Sequence, residues 1–201
     1  MTMKKDARPR GRPRSFDETD VLDIAKDLFW QRGYEATSIK DLTEAMGMTP
    51  PSLYAAFGSK EALYGRVLDR YVETFGHRLL DGLFDERDLK KAVSRIVQIW
   101  AQLLSGETHP KGCMISLGMA SHAPDNASVA REFAMRRAQT TGLILERLEA
   151  GQDQLPEGTD LAALANYIAM ALLGMSMMAR DGMSTQALLR VADRVMAAWP
   201  E

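Results

Sequence analysis

The stretch from Ser38 to Tyr64, SIKDLTEAMGMTPPSLYAAFGSKEALY, restricts the fold more than any other part of the chain. Ser38 is placed to cap a helix: its hydroxyl can accept from the free N–H groups of the first turn, and Asp41 stands three positions on. Ile39, Leu42, Ala45 and Met46 recur at helical steps and give that helix one apolar face. Gly47 follows where the chain must turn left-handed, a conformation that a Cβ penalises. Thr49 is a second N-cap, with Pro50 at the first helical position, where a missing N–H costs nothing. Leu53, Tyr54, Ala56 and Phe57 carry the second helix to Gly58, and Ser59 caps a third that opens at Lys60. Helix, glycine turn and short helix make the helix-turn-helix pattern.

A unit of this kind suits duplex DNA. The second helix must enter a major groove about 12 Å wide with its N-terminal end toward the bases. Its first turn here, Thr49, Pro50, Pro51 and Ser52, is built of small residues. Hydroxyls and free N–H groups at a helix start also bind phosphate oxygens. Leu53 and Phe57 are expected to face inward, leaving Pro51, Ser52, Tyr54 and Ala55 outward.

Upstream, Asp17 caps a first helix whose stripe is Val21, Ile24, Ala25, Leu28 and Phe29, ending at Gly33. Phe16 is placed to staple back onto it, and Trp30, off the stripe's centre, is expected to be partly buried by the following loop. The run continues through Gly33-Tyr34, Ala36-Thr37-Ser38-Ile39, Asp41-Leu42, Ala45-Met46-Gly47-Met48-Thr49, Ser52-Leu53-Tyr54, Phe57 and Ser59-Lys60-Glu61-Ala62-Leu63. Over Phe16 to Tyr71 this register resembles the DNA-binding domain of the tetracycline-repressor (TetR) family of bacterial transcriptional regulators. The resemblance implies phosphate contacts from Tyr54 and Lys60. Thr37, Ser38, Lys40 and Thr49 are further candidates for backbone contacts. At Ala55-Ala56 the chain departs from the bulky pair common in the family. Two methyl groups can meet thymine methyls but form no bidentate hydrogen bonds, so base reading rests on Ser52, Lys40, the N-terminal arm and DNA shape.

That arm, residues 1–15, contains Lys4, Lys5, Arg8, Arg10, Arg12 and Arg14 against Asp6 alone. The formal charge of the whole chain is nevertheless −2, so the remainder is acidic. A basic arm on an acidic body confines DNA contact to one end, with Arg12 and Arg14 suited to a minor groove.

After Lys60 the helical period runs without a break through Leu63, Val67, Leu68, Tyr71, Val72 and Phe75 to about Leu80 or Gly82. Such a helix would join the DNA-binding unit to the body mechanically, and the resemblance implies that use. Further helices are expected from Leu89 to Leu104, briefly within Pro110 to His122, from Val129 to Glu149, from Leu161 to Met175 and from Ser184 to Trp199. No strand-like alternation interrupts them. The expected fold is all-α with about nine helices: an arm (1–15), a three-helix DNA-binding domain (16–62) and a helical body (63–201).

The last two helices are apolar on more than one face and carry interleaved small residues, so they require cover on both sides. A homodimer meets that need through Ile168, Leu172, Met175, Met178, Leu188, Val191 and Val195, as the resemblance also implies. Two heads about one helical turn apart then match a palindromic operator in double-stranded DNA. The resemblance further implies a small-molecule effector that releases a repressor from DNA. Trp100, Leu103, Cys113, Met114, Leu117, Phe133, Arg137, Thr140 and Tyr167 are the candidate pocket residues. Alternatives are a DNA-binding regulator without an effector, or a thiol-based sensor at Cys113, which has Lys111 and His109 nearby.

One cysteine permits no intrachain disulfide, which suits a reducing cytoplasm. No run of about 18 apolar residues stands out, so no membrane-spanning segment is expected. His77, His109 and His122 lack metal-ligand spacing, and no metal or cofactor is expected. Nucleophile-elbow, phosphate-loop and paired-carboxylate patterns are also missing, which speaks against an enzyme.

Overall fold

The expected caps form where the sequence puts them. In the computed structural model, which describes residues 17–201, Asp17 Oδ1 accepts from the Thr19 N–H at 2.9 Å and starts α1 (Glu18–Arg32). Arg12, Arg14 and the Phe16 staple lie outside the described residues. Ser38 and Asp41 form a reciprocal capping box at the start of α2 (Ile39–Met46), and Gly47 turns left-handed at φ 64°. Thr49 caps α3 (Pro50–Phe57), and Ser59 caps α4 (Lys60–Thr74) by accepting from the Ala62 N–H at 3.0 Å. Leu42, Leu53, Leu63 and Phe29 close the small core between these four helices.

Two expectations about α1 change. Ile24 is exposed at the edge of the stripe, whereas Trp30 is 2% exposed rather than half-buried. Its indole N–H donates to the Gly112 carbonyl at 2.8 Å, 82 positions further along the chain. The ring stacks on His109 and meets Tyr71 and Phe75 edge-on. Trp30 is therefore a dock between the first helices and the body.

α4 also ends earlier than its periodicity suggests. Phe75 leaves the helix at φ −135°, and Gly76–Leu80 continues as a tighter 3-10 turn. A Cβ at Gly76 would lie 3.3 Å from the Tyr71 ring, so the missing side chain lets the backbone fold over that ring. Arg147 secures the irregular segment that follows, donating from Nε to the Leu83 carbonyl and from Nη2 to the carbonyls of Glu86 and Arg87.

The body comprises α5 (Leu89–Leu103), α6 (Met114–Leu117), α7 (Ala127–Glu149), α8 (Leu161–Arg180) and α9 (Thr185–Met196). The described residues are all helix and connection, as expected for the all-α class. α6 is a single turn, shorter than the apolar run from Pro110 to His122 suggests. α7 packs along α8, α5 packs along α9, and Ile96, Val97, Trp100, Ile168, Leu172 and Leu188 form their shared core.

α8 corrects two expectations. Its 20 residues are long and apolar enough to cross a membrane, with mean hydropathy 1.7 over 18 residues, so a run of that kind does exist. Alanines, Gly174 and several methionines hid it from a search for bulky side chains. Only 28% of that window is buried within the protomer. The second correction concerns facing: Ile168, Leu172, Met175, Leu188 and Val195 all point into the protomer's own core. A helix apolar all round does not disclose which face its own chain takes. The outer face instead carries Met170 (64% exposed), Leu173, Met177 and Met178, with Val191 beside it on α9.

Candidate DNA interface and internal cavity

α3 is held from below by Leu53 (fully buried) and Phe57, so its opposite side is fixed outward. Thr49, Pro50, Pro51, Ser52, Tyr54, Ala55 and Ala56 are all exposed, the last six along α3. At the helix start the Thr49 and Ser52 hydroxyls lie 2.9 Å apart, while Thr49 Oγ1 also accepts from the Ser52 N–H at 3.3 Å. Pro50 and Pro51 have no N–H and the Ser52 N–H is taken by Thr49, so at this helix start the two hydroxyls are what can donate to an oxyanion. Ser38 and Lys40 are exposed on the adjoining edge, with Lys40 in a loose ion pair to Glu44 at 3.7 Å. Ser38 also bonds the Asp41 carboxylate through its hydroxyl, and that carboxyl is held below its ordinary range chiefly by this contact.

Thr37 does not belong to this surface. Its side chain is buried and its hydroxyl donates to the Gly33 carbonyl at 2.7 Å, which leaves nothing to offer a phosphate. Lys60 is half-buried, with its ammonium 4.1 Å from the centre of the Tyr34 ring. Burial pushes its pKa down, opposed by Glu35 and Asp41. The ring holds the charge at the base of α4 rather than leaving it to wander in solvent.

Behind this head, α4 and the 3-10 turn after it, α5, α6, α7 and α8 line a cavity of about 370 Å³ that opens to solvent past Met170 and Leu173. Trp100, Cys113, Arg137 and Thr140, four of the nine residues expected at an effector pocket, line it. The other five expected residues do not. Phe133 is fully buried and stacks on Tyr64 at 5.5 Å, while the Tyr167 hydroxyl donates to the Val195 carbonyl across α9. Met114 is sealed in the core, and Leu103 and Leu117 pack elsewhere against it or against the Gly112 turn. The remaining walls come from Tyr71, Leu79, Ser116, Arg136, Asn166, Met170 and Leu172, among others. Sequence reasoning missed these because they face one another from helices far apart in the chain.

Cys113 is 3% exposed, and its sulfur accepts from the Tyr71 hydroxyl at 3.3 Å and the Ser116 N–H at 3.4 Å. Burial keeps the Tyr71 phenol protonated far above its ordinary range, so it remains a donor. No cluster of metal-ligating side chains occurs among the described residues.

The cavity wall and the docking contacts share one segment, the connection from Gly106 to Ala123. Its Gly112 carbonyl receives the Trp30 indole, and its Cys113 N–H donates to the Ser176 hydroxyl of α8 at 2.7 Å. At its far end the Ala123 N–H donates to Glu35 at 2.6 Å, joined by the Asn126 amide at 2.7 Å. These two bonds draw the Glu35 carboxyl below its ordinary range. Gly118 lies against the Phe133 ring, where any Cβ would overlap it. Arg180, at the end of α8, donates to the Trp30 and Gln31 carbonyls at the end of α1, a cation at a helix C-terminus.

Comparison with known proteins agrees with this anatomy. The family described as bacterial regulatory proteins, tetR family, matches residues 21–67. The transcriptional repressor ComR of Escherichia coli (strain K12) is 35% identical over 96% of this chain and 93% of its own. The repressor BdcR of the same strain is 34% identical over the same shares. Among solved structures, a cysteine mutant of the TetR family regulator CifR, complexed with 26-bp double-strand operator DNA, superposes with a TM-score of 0.90. It is 36% identical and covers 94% of this chain and 100% of its own.

Proposed function

The chain belongs to the tetR family of bacterial transcriptional regulators, a DNA-binding family, and from that premise we propose that it is a homodimeric repressor whose operator affinity falls when a small molecule fills its cavity. The observation that carries the reading is the pairing of an outward, small-residue α3 with a largely apolar cavity in the body of the same chain. α3 enters the major groove; Thr49, Pro51, Ser52, Tyr54 and Ala55 meet DNA there, with Ser38, Lys40 and Lys60 at its edges and Arg12 and Arg14 supplied by the arm. Residues 16–62 act as the reading head and residues 63–201 as effector-binding and dimerisation body. Leu173, Met177, Met178 and Val191 are the apolar side chains left for a second copy, which sets two heads on one palindrome.

The shared connection explains the coupling: whatever fills the cavity presses on Cys113 and Ser116, and the same segment holds Trp30 and Glu35. About 3 kcal/mol of difference in ligand affinity between two arrangements shifts DNA binding roughly a hundredfold. Selection of bound sequences from random duplex DNA, followed by a compound screen for release, tests the reading. No enriched sequence, or enrichment that no compound reverses, contradicts it.

A second reading attaches to Cys113, because the residue lines the cavity and its sulfur receives two donors. In it, a thiol-reactive ligand acts through that sulfur. A Cys113→Ser variant that still releases DNA with such ligands removes this reading and leaves the first untouched.

A further inference from the structure

Resting on the reading of the cavity as the effector site, we propose that its ligand is an organic anion, a carboxylate on a compact apolar skeleton, held by Arg137. Among the described residues no Asp or Glu lines the cavity. Two guanidinium groups do, and they differ. Arg136 is already neutralised by Asp69 at 2.6 Å and Glu132 at 2.7 Å. Arg137 has no acidic partner among the described residues; its Nη1 donates to the Ile115 and Gly118 carbonyls, at 3.2 and 2.8 Å.

Among the described residues its Nε and Nη2 have no hydrogen-bond partner, yet neither is sealed in, since Arg180 Nε is the buried side-chain nitrogen left without one. Arg137 lines the cavity, so an anion seated there can reach this unpartnered edge. A glutamine could donate to two carbonyls equally well. A half-buried, permanent charge adds only an anion requirement, because desolvation disfavours it unless a counter-charge arrives. A planar fork matches a carboxylate through two parallel bonds. Trp100, Leu79 and Leu172 then receive the apolar part, while Thr140 and Asn166 offer hydroxyl and amide groups. The volume of about 370 Å³ equals the share of on the order of a dozen waters, which suits a medium-sized acid rather than a bare inorganic ion.

The site is also placed to signal. Arg137 grips the turn at Gly118, and Gly118 abuts Phe133, which stacks on Tyr64 beneath the reading head. An anion on the free edge of Arg137 reorients the guanidinium, and its Nη1 grip on that turn moves with it.

The test uses the full-length protein with decanoate and 2-naphthoate, each compared with the primary amide of the same skeleton, in calorimetry and in operator-release anisotropy. Carboxylates are expected to bind about ten- to hundredfold more tightly than their amides, the range of one charged hydrogen-bonded contact. Arg137→Gln should erase that margin and Arg137→Lys should keep part of it. Equal binding of acid and amide, an unchanged margin in Arg137→Gln, or no carboxylate binding at millimolar concentration overturns the anion assignment. Should Arg137→Gln fail to fold, the comparison of acid with amide on the wild-type chain decides alone. Neutral compounds that bind and release the operator leave the effector reading standing while this inference falls. Compounds that bind without changing operator affinity refute the effector reading itself.

Discussion

Trp30→Phe isolates the dock between the reading head and the cavity segment. The substitution keeps an aromatic ring among Tyr71, Phe75 and His109 but removes the indole N–H that reaches the Gly112 carbonyl. An acceptor buried without its donor costs about 1–3 kcal/mol. The smaller ring gives up part of its stack on His109, about 0.5–1 kcal/mol more. For a chain of this length, the sum of about 1.5–4 kcal/mol lowers Tm by roughly 3–16 °C. The more telling readout is local. Because the lost bond joins two parts of the chain, amides of α1 to α3 should lose protection from hydrogen exchange by about ten- to hundredfold, and those of α5 and α9 by much less. Arg180→Met removes two further donors to the same helix end, so the two substitutions should be non-additive in a double-mutant cycle. Protection lost evenly over the whole chain, or not lost at all, would refute the claim that Trp30 docks the head.

Three further outcomes are expected. Lys40→Ala should flatten the dependence of log operator affinity on log salt by about one unit per protomer, and an unchanged slope excludes that contact. Tyr54→Phe, which removes a neutral donor, should instead weaken binding by about 0.5–3 kcal/mol per protomer with the slope unchanged. Asp23 is held down to about 2, chiefly by its hydrogen bonds from Arg70, against an ordinary 3.8. A depressed carboxylate stabilises fully above its unfolded pKa and loses that stabilisation as pH falls through the folded one. Asp23→Asn should therefore cost roughly 1 kcal/mol at pH 7, allowing for solvent screening of a third-exposed group, with the difference vanishing between about pH 4 and pH 2; a cost independent of pH contradicts the pairing. Met177→Glu, on the uncovered face of α8, should yield monomers in sedimentation equilibrium with the helical signal intact, whereas a persistent dimer would move the interface elsewhere.

What the sequence disclosed was local. Ser38, Gly47, Thr49 and Ser59 mark helix ends through their own backbone chemistry, so the reading unit could be drawn to within a residue or two. What it concealed depended on distant partners. Trp30 finds Gly112, Thr37 finds the Gly33 carbonyl, and the break after Thr74 answers to the Tyr71 ring. On α8 every face is apolar, so periodicity could not tell Ile168, which the protomer buries, from Met170, which it leaves out. Of the cavity residues the sequence singled out, Trp100 lies on the inner face of amphipathic α5, whereas Arg136 and Asn166 passed as solvent-facing polar residues until their neighbours were known.

The most direct measurement is the mass and footprint of the complex formed with a duplex selected from random DNA. The account predicts two protomers on a palindrome with half-site centres about one helical turn, or a multiple of it, apart, and loss of that complex on Tyr54→Ala. A single protomer on the duplex, or an undiminished footprint from Tyr54→Ala, would contradict it.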